Sequence, residues 1–354
     1  MNKSYYKKLS NRRFLHNLQR KRWRKAYRYA KLLKRLDDKR INNQNKKNKK
    51  YFKVNVPRIF SLEKNHEETL QFYTTLDSAV RNGYRIDLDM SDVEVLEPHC
   101  LLYLLSRLDY YKTTLKFFYM TGNSPRKRIP NEMLTSSGFF NYVRVKNSFA
   151  NISNDNILEI MSGTIVDEAK ALKIREFASS KLGDMSVMVK QGIYSTVIEC
   201  MANTNNHAYK SSTTLPKNIS TNKWWVMAHC ATANEEDESR RQVKFIFLDN
   251  GRGIPQTILP KFKGLFFNND GEVLELAFNG KYKSSTKHNW RGKGLPKIYK
   301  LFKSHYIENL SVISNNGRFI ANNSITKKLQ DKFHGTMLMW DFKKQNQITG
   351  LLDD

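Results

Sequence analysis

The run Ser195-Thr196-Val197-Ile198-Glu199-Cys200-Met201-Ala202-Asn203-Thr204-Asn205-Asn206-His207-Ala208-Tyr209 constrains this chain more than any other stretch. Glu199, Asn203 and His207 recur every fourth residue, and an α-helix stacks that spacing along one stripe. Val197, Ile198, Met201 and Ala202 give the same helix an apolar flank. A helix that buries one side while aligning a carboxylate with an amide can orient a water through the acid and hold a metal through the amide oxygen. Taken alone, a polar stripe usually faces solvent; the motifs downstream give it another meaning.

The first of them follows two apolar strands. Trp224 to Cys230 and Val243 to Leu248, joined by the polar segment 234–242, read as a hairpin with a long tip. The second strand runs into Asp249-Asn250-Gly251-Arg252-Gly253-Ile254-Pro255. A carboxylate at a strand end can accept a hydrogen bond from the exocyclic amine of adenine, and glycines two apart turn the chain away without a blocking β-carbon. Further on, Arg291-Gly292-Lys293-Gly294-Leu295-Pro296 opens a helix that runs through Leu301-Phe302. Backbone N–H groups at such a start, reinforced by the helix dipole, favour phosphate. Leu310 to Ser314 and Met337 to Phe342 read as closing strands, the latter after His334-Gly335-Thr336.

The preceding segments read differently. Residues 1–50 carry Arg20-Lys21-Arg22-Trp23-Arg24-Lys25 and Lys46-Lys47-Asn48-Lys49-Lys50 against only Asp37 and Asp38, and so hold well over half of the net charge of +28. Apolar residues at helical intervals predict a basic helix over 12–37, followed by a polar linker. Such an arm suits nucleic acid, anionic lipid or an acidic protein, with Trp23, Tyr27 and Tyr29 available to stack. Residues 51–150 read as a small α/β module. It has strands at Val54 to Phe60, Tyr84 to Met90 and Leu115 to Met120. Helices fall at Leu70 to Asn82, at Pro98 to Lys112 and around Asn131 to Leu134, and Gly138 is a stop. In residues 151–354, Ile165 to Lys181 has helical periodicity. Cys100, Cys200 and Cys230 are scattered and lack metal-site spacing, which points to reduced thiols and a cytoplasmic setting. The basic start lacks the apolar core of a secretory signal, and no run has the length of a membrane span.

The strand, turn and apolar-helix order of residues 86–108, with Gly138-Phe139 after it, resembles the STAS domains of anti-sigma-factor antagonists. Glu97-Pro98-His99 stands where those domains carry a phosphorylatable serine, so the resemblance implies a docking or scaffold module without that switch. Four further motifs stand in the order of the GHKL ATPases: Glu199-xxx-Asn203-xxx-His207-Ala208-Tyr209, Asp249-x-Gly251-x-Gly253, Gly292-x-Gly294-Leu295 and Gly335-Thr336. Over roughly residues 160–345 the chain resembles that superfamily, and its His-Ala-Tyr run is most similar to the anti-sigma serine kinases.

The resemblance implies an α/β (α+β) chain in three parts. These are a basic helical arm and linker at 1–50, a STAS-like module at 51–150, and a histidine-kinase-like ATPase domain at 160–354. The last would have the Bergerat fold, a mixed, largely antiparallel sheet with helices on one face. ATP and Mg²⁺ would be its cofactors. Glu199 would be the general base and Asn203 the Mg²⁺ ligand. Asp249 would read adenine, with Gly251, Gly253 and Ile254 shaping that wall. Gly292, Lys293, Gly294 and Leu295 would form the phosphate lid, with Lys287 and Arg291 adding charge. Thr336 would sit near the base, and His207 would make a packing or lid contact. Phosphoryl transfer is mostly positioning plus charge neutralisation, which such a set supplies. Neither a phosphoacceptor histidine on a dimerising hairpin nor a transducer domain with a γ-phosphate lysine is recognisable. Three functions follow: an ATP-hydrolysing switch, as monomer or homodimer; a serine/threonine kinase of anti-sigma type acting on a protein partner; or a nucleic-acid-binding scaffold with a vestigial nucleotide pocket.

Overall fold

A computed structural model describes residues 51–115, 118–143, 153–208, 223–231, 241–261, 266–280 and 294–343. The basic arm at 1–50, the loop at 210–222 and the stretch carrying Lys287, Arg291, Gly292 and Lys293 lie outside the described residues. Contacts divide the chain into two compact units. Of the first, Met1–Tyr51 with Gly83–Arg85, only Tyr51 and Gly83–Arg85 are described, and the Arg85 guanidinium lies 5.7 Å from the Tyr51 ring centroid. Apart from Tyr51 and Arg85 as the first residues of two strands, the other observations concern the second, Phe52–Asn82 with Ile86–Asp354.

The fold is mixed, with parallel and antiparallel sheets and helices between them. Near the start, β1 (Tyr51–Asn55), β3 (Arg85–Asp89) and β5 (Met120–Gly122) form a three-stranded sheet in the order β1-β3-β5, in which β3 and β5 run parallel. β2 (Ile59–Phe60) pairs in parallel with β4 (Val95–Leu96). The strand expected over Val54–Phe60 is thus two strands, because Pro57 has no N–H to give a ladder. The strand expected at Leu115–Met120 falls later, at Met120–Gly122. Helix α1 (His66–Arg81) and helix α2 (Pro98–Thr114) follow β2 and β4, and α3 (Arg128–Ser136) precedes Gly138. Proline at the first position of α2 costs no hydrogen bond, since that N–H has no helical partner anyway. Leu101, Leu102, Tyr103, Leu104, Leu105 and Leu108 bury this helix nearly all round.

The second sheet has the order β6-β7-β8-β10-β9, from β6 (Ile157–Gly163), β7 (Trp224–Ala231), β8 (Gln242–Asp249), β9 (Glu308–Ile320) and β10 (Ile325–Lys343). Each of its four pairings is antiparallel, so the sheet is not mixed as expected. Both closing strands extend well beyond the expected 310–314 and 337–342. Helix α4 (Glu168–Leu182) begins later than the periodicity from Ile165 indicates, because Asp167 caps it, its side chain accepting the Lys170 N–H at 3.0 Å. α5 (Val187–Asn203) is capped in the same way by Ser186. α6 (Ile254–Ile258), α7 (Asp270–Asn279) and α8 (Gly294–Lys303) complete the set.

Alternation along the strands decides what each face meets. Trp224, Val226, Ala228, Phe245, Phe247, Val312, Leu338 and Trp340 face one way, into a core with Ile193, Val197, Met201, Phe278 and Ile298 of the C-terminal helices. Trp225, Met227, Ile246, Leu248, Ile313, Met337 and Met339 face the other way and share a core with Leu101, Tyr103, Leu105 and other residues of 51–143. Helices therefore cover both faces, not one. The adjacent tryptophans Trp224 and Trp225 are buried on opposite sides for this reason. Tyr103 stacks on Phe333 with centroids 4.0 Å apart, and its hydroxyl accepts the His334 N–H at 2.8 Å. Behind them Asp77 is buried against Arg107, Tyr111 and His334. Burial alone would raise its pKa; the His334 hydrogen bond, the Arg107 charge and the Tyr111 hydroxyl outweigh that and hold it at about 2. All three cysteines are free and buried. No helix among the described residues is long and apolar enough to cross a membrane.

Candidate functional site

α5 buries Val189, Ile193, Thr196, Val197, Cys200 and Met201, leaving Glu199 and Asn203 half-buried on an adjoining stripe. The stripe ends there. After Asn203 the chain widens into a π-turn over Thr204–Ala208, so the α-helical backbone that the four-residue spacing assumes stops before position 207. Two contacts account for the change. The Thr204 hydroxyl donates to the Cys200 carbonyl at 3.0 Å, and the Ala208 carbonyl accepts the Arg252 N–H at 3.0 Å, which draws the chain onto the loop after β8.

The start of α8 lies against the stripe. A β-carbon placed on Gly294 would fall 2.8 Å from Glu199 Oε2 and 3.1 and 3.2 Å from the two polar atoms of the Asn203 amide. Lys297, in the first turn of α8, donates to Glu199 Oε1 at 3.0 Å. The pair is partly exposed, and such pairs contribute only about 0–1 kcal/mol, so another anion can displace the carboxylate from the ammonium. Asn203 Nδ2 is buried with no hydrogen-bond partner among the described residues, and half a turn of its amide puts the oxygen there instead. A buried amide left open in this way costs roughly 1–3 kcal/mol and fits a ligand better than a structural bond. Leu295 is half-buried and packs on the core beneath.

The second part of the site is the end of β8. Asp249 is 8% exposed and lies in register between Trp224 of β7 and Thr336 of β10. It accepts the Gly251 N–H at 2.8 Å, its only donor among the described residues. Burial pushes its pKa from 3.8 to about 7, and the Gly251 bond offsets this only in part. The loop beyond it is held from β9 and β10. Ser314 donates to the Gly335 carbonyl at 2.8 Å, which spends its only proton. The hydroxyl of Thr336, 3.1 Å from Ser314 Oγ, must therefore donate to it, and the Ile254 N–H donates to the same oxygen at 3.0 Å. Asn315 donates to the Arg252 carbonyl at 3.0 Å. Gly253 has φ +90°, and a β-carbon on it would lie 2.7 Å from Ser314 Oγ, so the turn admits no side chain.

Gly335 is the tightest point, with φ +105°, and a β-carbon placed on it would run into the Asp249 carbonyl oxygen. Gly335→Ala is expected to destabilise the protein by about 3 kcal/mol or more, seen as a lower urea midpoint with an unchanged slope. An unchanged midpoint would show that β10 can move away from β8 there.

Cys200 follows Glu199 on α5 and is buried. Burial pushes its thiol well above the ordinary range, and the carboxylates of Glu199 and then Asp249 add to the shift. Both acids thus act on one buried sulfur. The structure brings Glu199, Asn203, Gly294 and Lys297 together, and separately Asp249, Gly251, Gly253, Ile254 and Thr336. It describes His207 only as part of the π-turn. Lys297, Ser314 and Asn315 escaped the sequence reading. Lys297 was hidden in a chain rich in lysine, and Ser314 and Asn315 act through cross-strand geometry that no local pattern carries. No group of three or more His, Cys, Asp or Glu able to hold a metal occurs among the described residues. The chain matches no protein-family model and no curated protein.

Proposed function

We propose that this chain is a Mg²⁺-dependent ATP-binding switch of GHKL type that hydrolyses its nucleotide. The observation that supports it best is the pair of unspent polar groups on α5 and β8. These are an amide buried without a partner at Asn203 and a buried carboxyl at Asp249 that has one N–H donor. Asp249 would accept the exocyclic amine of adenine. The Gly251–Ile254 turn would let the base approach. Gly294 would bring backbone N–H groups over the phosphates, and Glu199 would take the proton of an attacking water. Bound Mg²⁺, held by the Asn203 oxygen, would neutralise phosphate charge, and Mg²⁺ with one protein ligand is ordinary, since phosphate oxygens and water fill the rest. The hydrogen bond from His334 to Tyr103, next to Gly335, gives the nucleotide a route to the helices of residues 51–143. That contact favours a switch over a free-standing hydrolase.

Asn203→Ala tests the reading. The apo protein should be no less stable than wild type, because the deleted amide makes no hydrogen bond among the described residues. The thermal shift with ATP and Mg²⁺ should fall to the value given by ATP with EDTA. A full Mg²⁺-dependent shift in this variant would rule Asn203 out as the ligand.

A further inference from the structure

The opposite face of the second sheet carries a polar cavity of about 460 Å³. It lies at the far end from Asp249, because Lys244 precedes Asp249 by five residues on β8, roughly 17 Å along a strand. There the apolar row Met227, Ile246 and Met339 gives way to His229, Lys244 and Asp341, two residues along each strand, and Ser311 of β9, the partner of Met339, stands beside them. His229 pairs with Lys244, and Lys244 with Asp341, across the ladder. Arg318 of β9 and Glu63, in the loop before α1, complete the cavity, and the exposed Asn322 and Asn323 form its rim.

Its charges are incompletely matched. Lys244 and Glu63 pair at 2.8 Å. Arg318, 6% exposed, gives Nη1 to the Leu62 carbonyl at 3.0 Å but leaves Nε without a partner. Asp341, 1% exposed, accepts from Asn309 on Oδ2 at 2.7 Å but leaves Oδ1 without one. Ser311, 3% exposed, has an unpartnered hydroxyl. Arg318 and Asp341 carry opposite charge and line one cavity, yet they form no ion pair within 4.0 Å. Burial pushes the Asp341 carboxyl up to about 6, as befits an anion short of donors. Lys244 acts on Asp341 and Glu63 on Arg318 through space, so the charges balance in sum, yet Arg318 Nε and Asp341 Oδ1 each still lack a hydrogen-bond partner that water or a ligand can supply.

We infer that this cavity binds a small zwitterion of the α-amino-acid class, its carboxylate on Arg318 Nε and its ammonium on Asp341 Oδ1. A zwitterion brings an oppositely charged partner to each of these two open atoms, whereas a plain anion or cation would serve one and be repelled by the other. The volume admits an amino acid with its side chain, at the lower end of ordinary ligand pockets. The site is independent of the nucleotide reading, since it shares no residue with the α5 and β8 groups.

The experiment is a thermal-shift panel on the full chain with the twenty proteinogenic amino acids, each beside its N-acetyl amide, above pH 7. At least one free amino acid should raise Tm by about 3–5 °C at about ten times its Kd, and its capped form should not. Asp341→Asn and Ser311→Ala should each weaken that amino acid at least tenfold by titration calorimetry. Two variants guard against one that folds poorly. No response to any of the twenty, an equal response to the capped form, or an unchanged Kd in both variants would overturn the inference.

Discussion

Glu199→Gln is expected to lower phosphate release from ATP and Mg²⁺ by about 10²–10⁴-fold, the usual contribution of a positioned general base. The affinity for ATP should change by less than about threefold. The expectation rests on the position of the carboxylate. Glu199 Oε2 lies beside Gly294, and Oε1 reaches Lys297 at 3.0 Å, so the group faces the helix start where phosphate would sit. Glutamine keeps the shape and loses only the basicity and the partly exposed ion pair, which adds little to stability. Phosphate release measured beside ATP titration on one preparation separates the two quantities. Turnover and affinity falling together would make Glu199 a binding residue, and turnover near the wild-type rate would remove it from the chemistry.

Asp249→Asn should move stability and binding in opposite directions. The folded carboxyl titrates at about 7, above its ordinary 3.8, so between these values the folded state holds a proton that the unfolded state releases. The stability tied to that proton is complete below about pH 4 and is lost as pH rises through about 7. Above pH 7 the apo protein carries a buried carboxylate, a cost on the order of 2–4 kcal/mol that asparagine avoids. The variant should therefore melt about 5–10 °C higher at pH 8, with the gain vanishing near pH 4. ATP affinity should fall by about 100-fold. The asparagine oxygen would be taken by the Gly251 N–H, which turns its NH₂ toward the amine of the base, and two donors would then face each other. A variant less stable than wild type at pH 8, or one that binds ATP unchanged, would contradict this account of Asp249.

The antiparallel hairpin of Trp224–Ala231 with Gln242–Asp249 was legible because both strands are nearly unbroken apolar runs, the mark of strands buried on both faces. What covers the second face was not legible. Tyr103 and Phe333 are separated by 230 residues, and local patterns carry no information on such contacts. β6 went unread because Ile157-Leu158-Glu159-Ile160-Met161-Ser162-Gly163 is a short edge strand with weak alternation. The site residues of α5 and β8 were legible as types and spacing, since a helix stripe and a strand end are local. The π-turn was not, because its cause is the Arg252 N–H reaching across from another element. Lys244 and Asp341 are single charges inside the otherwise apolar stretches 243–248 and 337–342. Only their register across β8 and β10 shows that they share one cavity.

Titration calorimetry of ATP into the full chain with Mg²⁺, above pH 7, decides whether α5 and the end of β8 hold one nucleotide between them. Saturable binding at one site per chain is expected, weakened about 100-fold by Asp249→Asn and weakened also by EDTA. No heat and no thermal shift from ATP in the wild-type protein would contradict it.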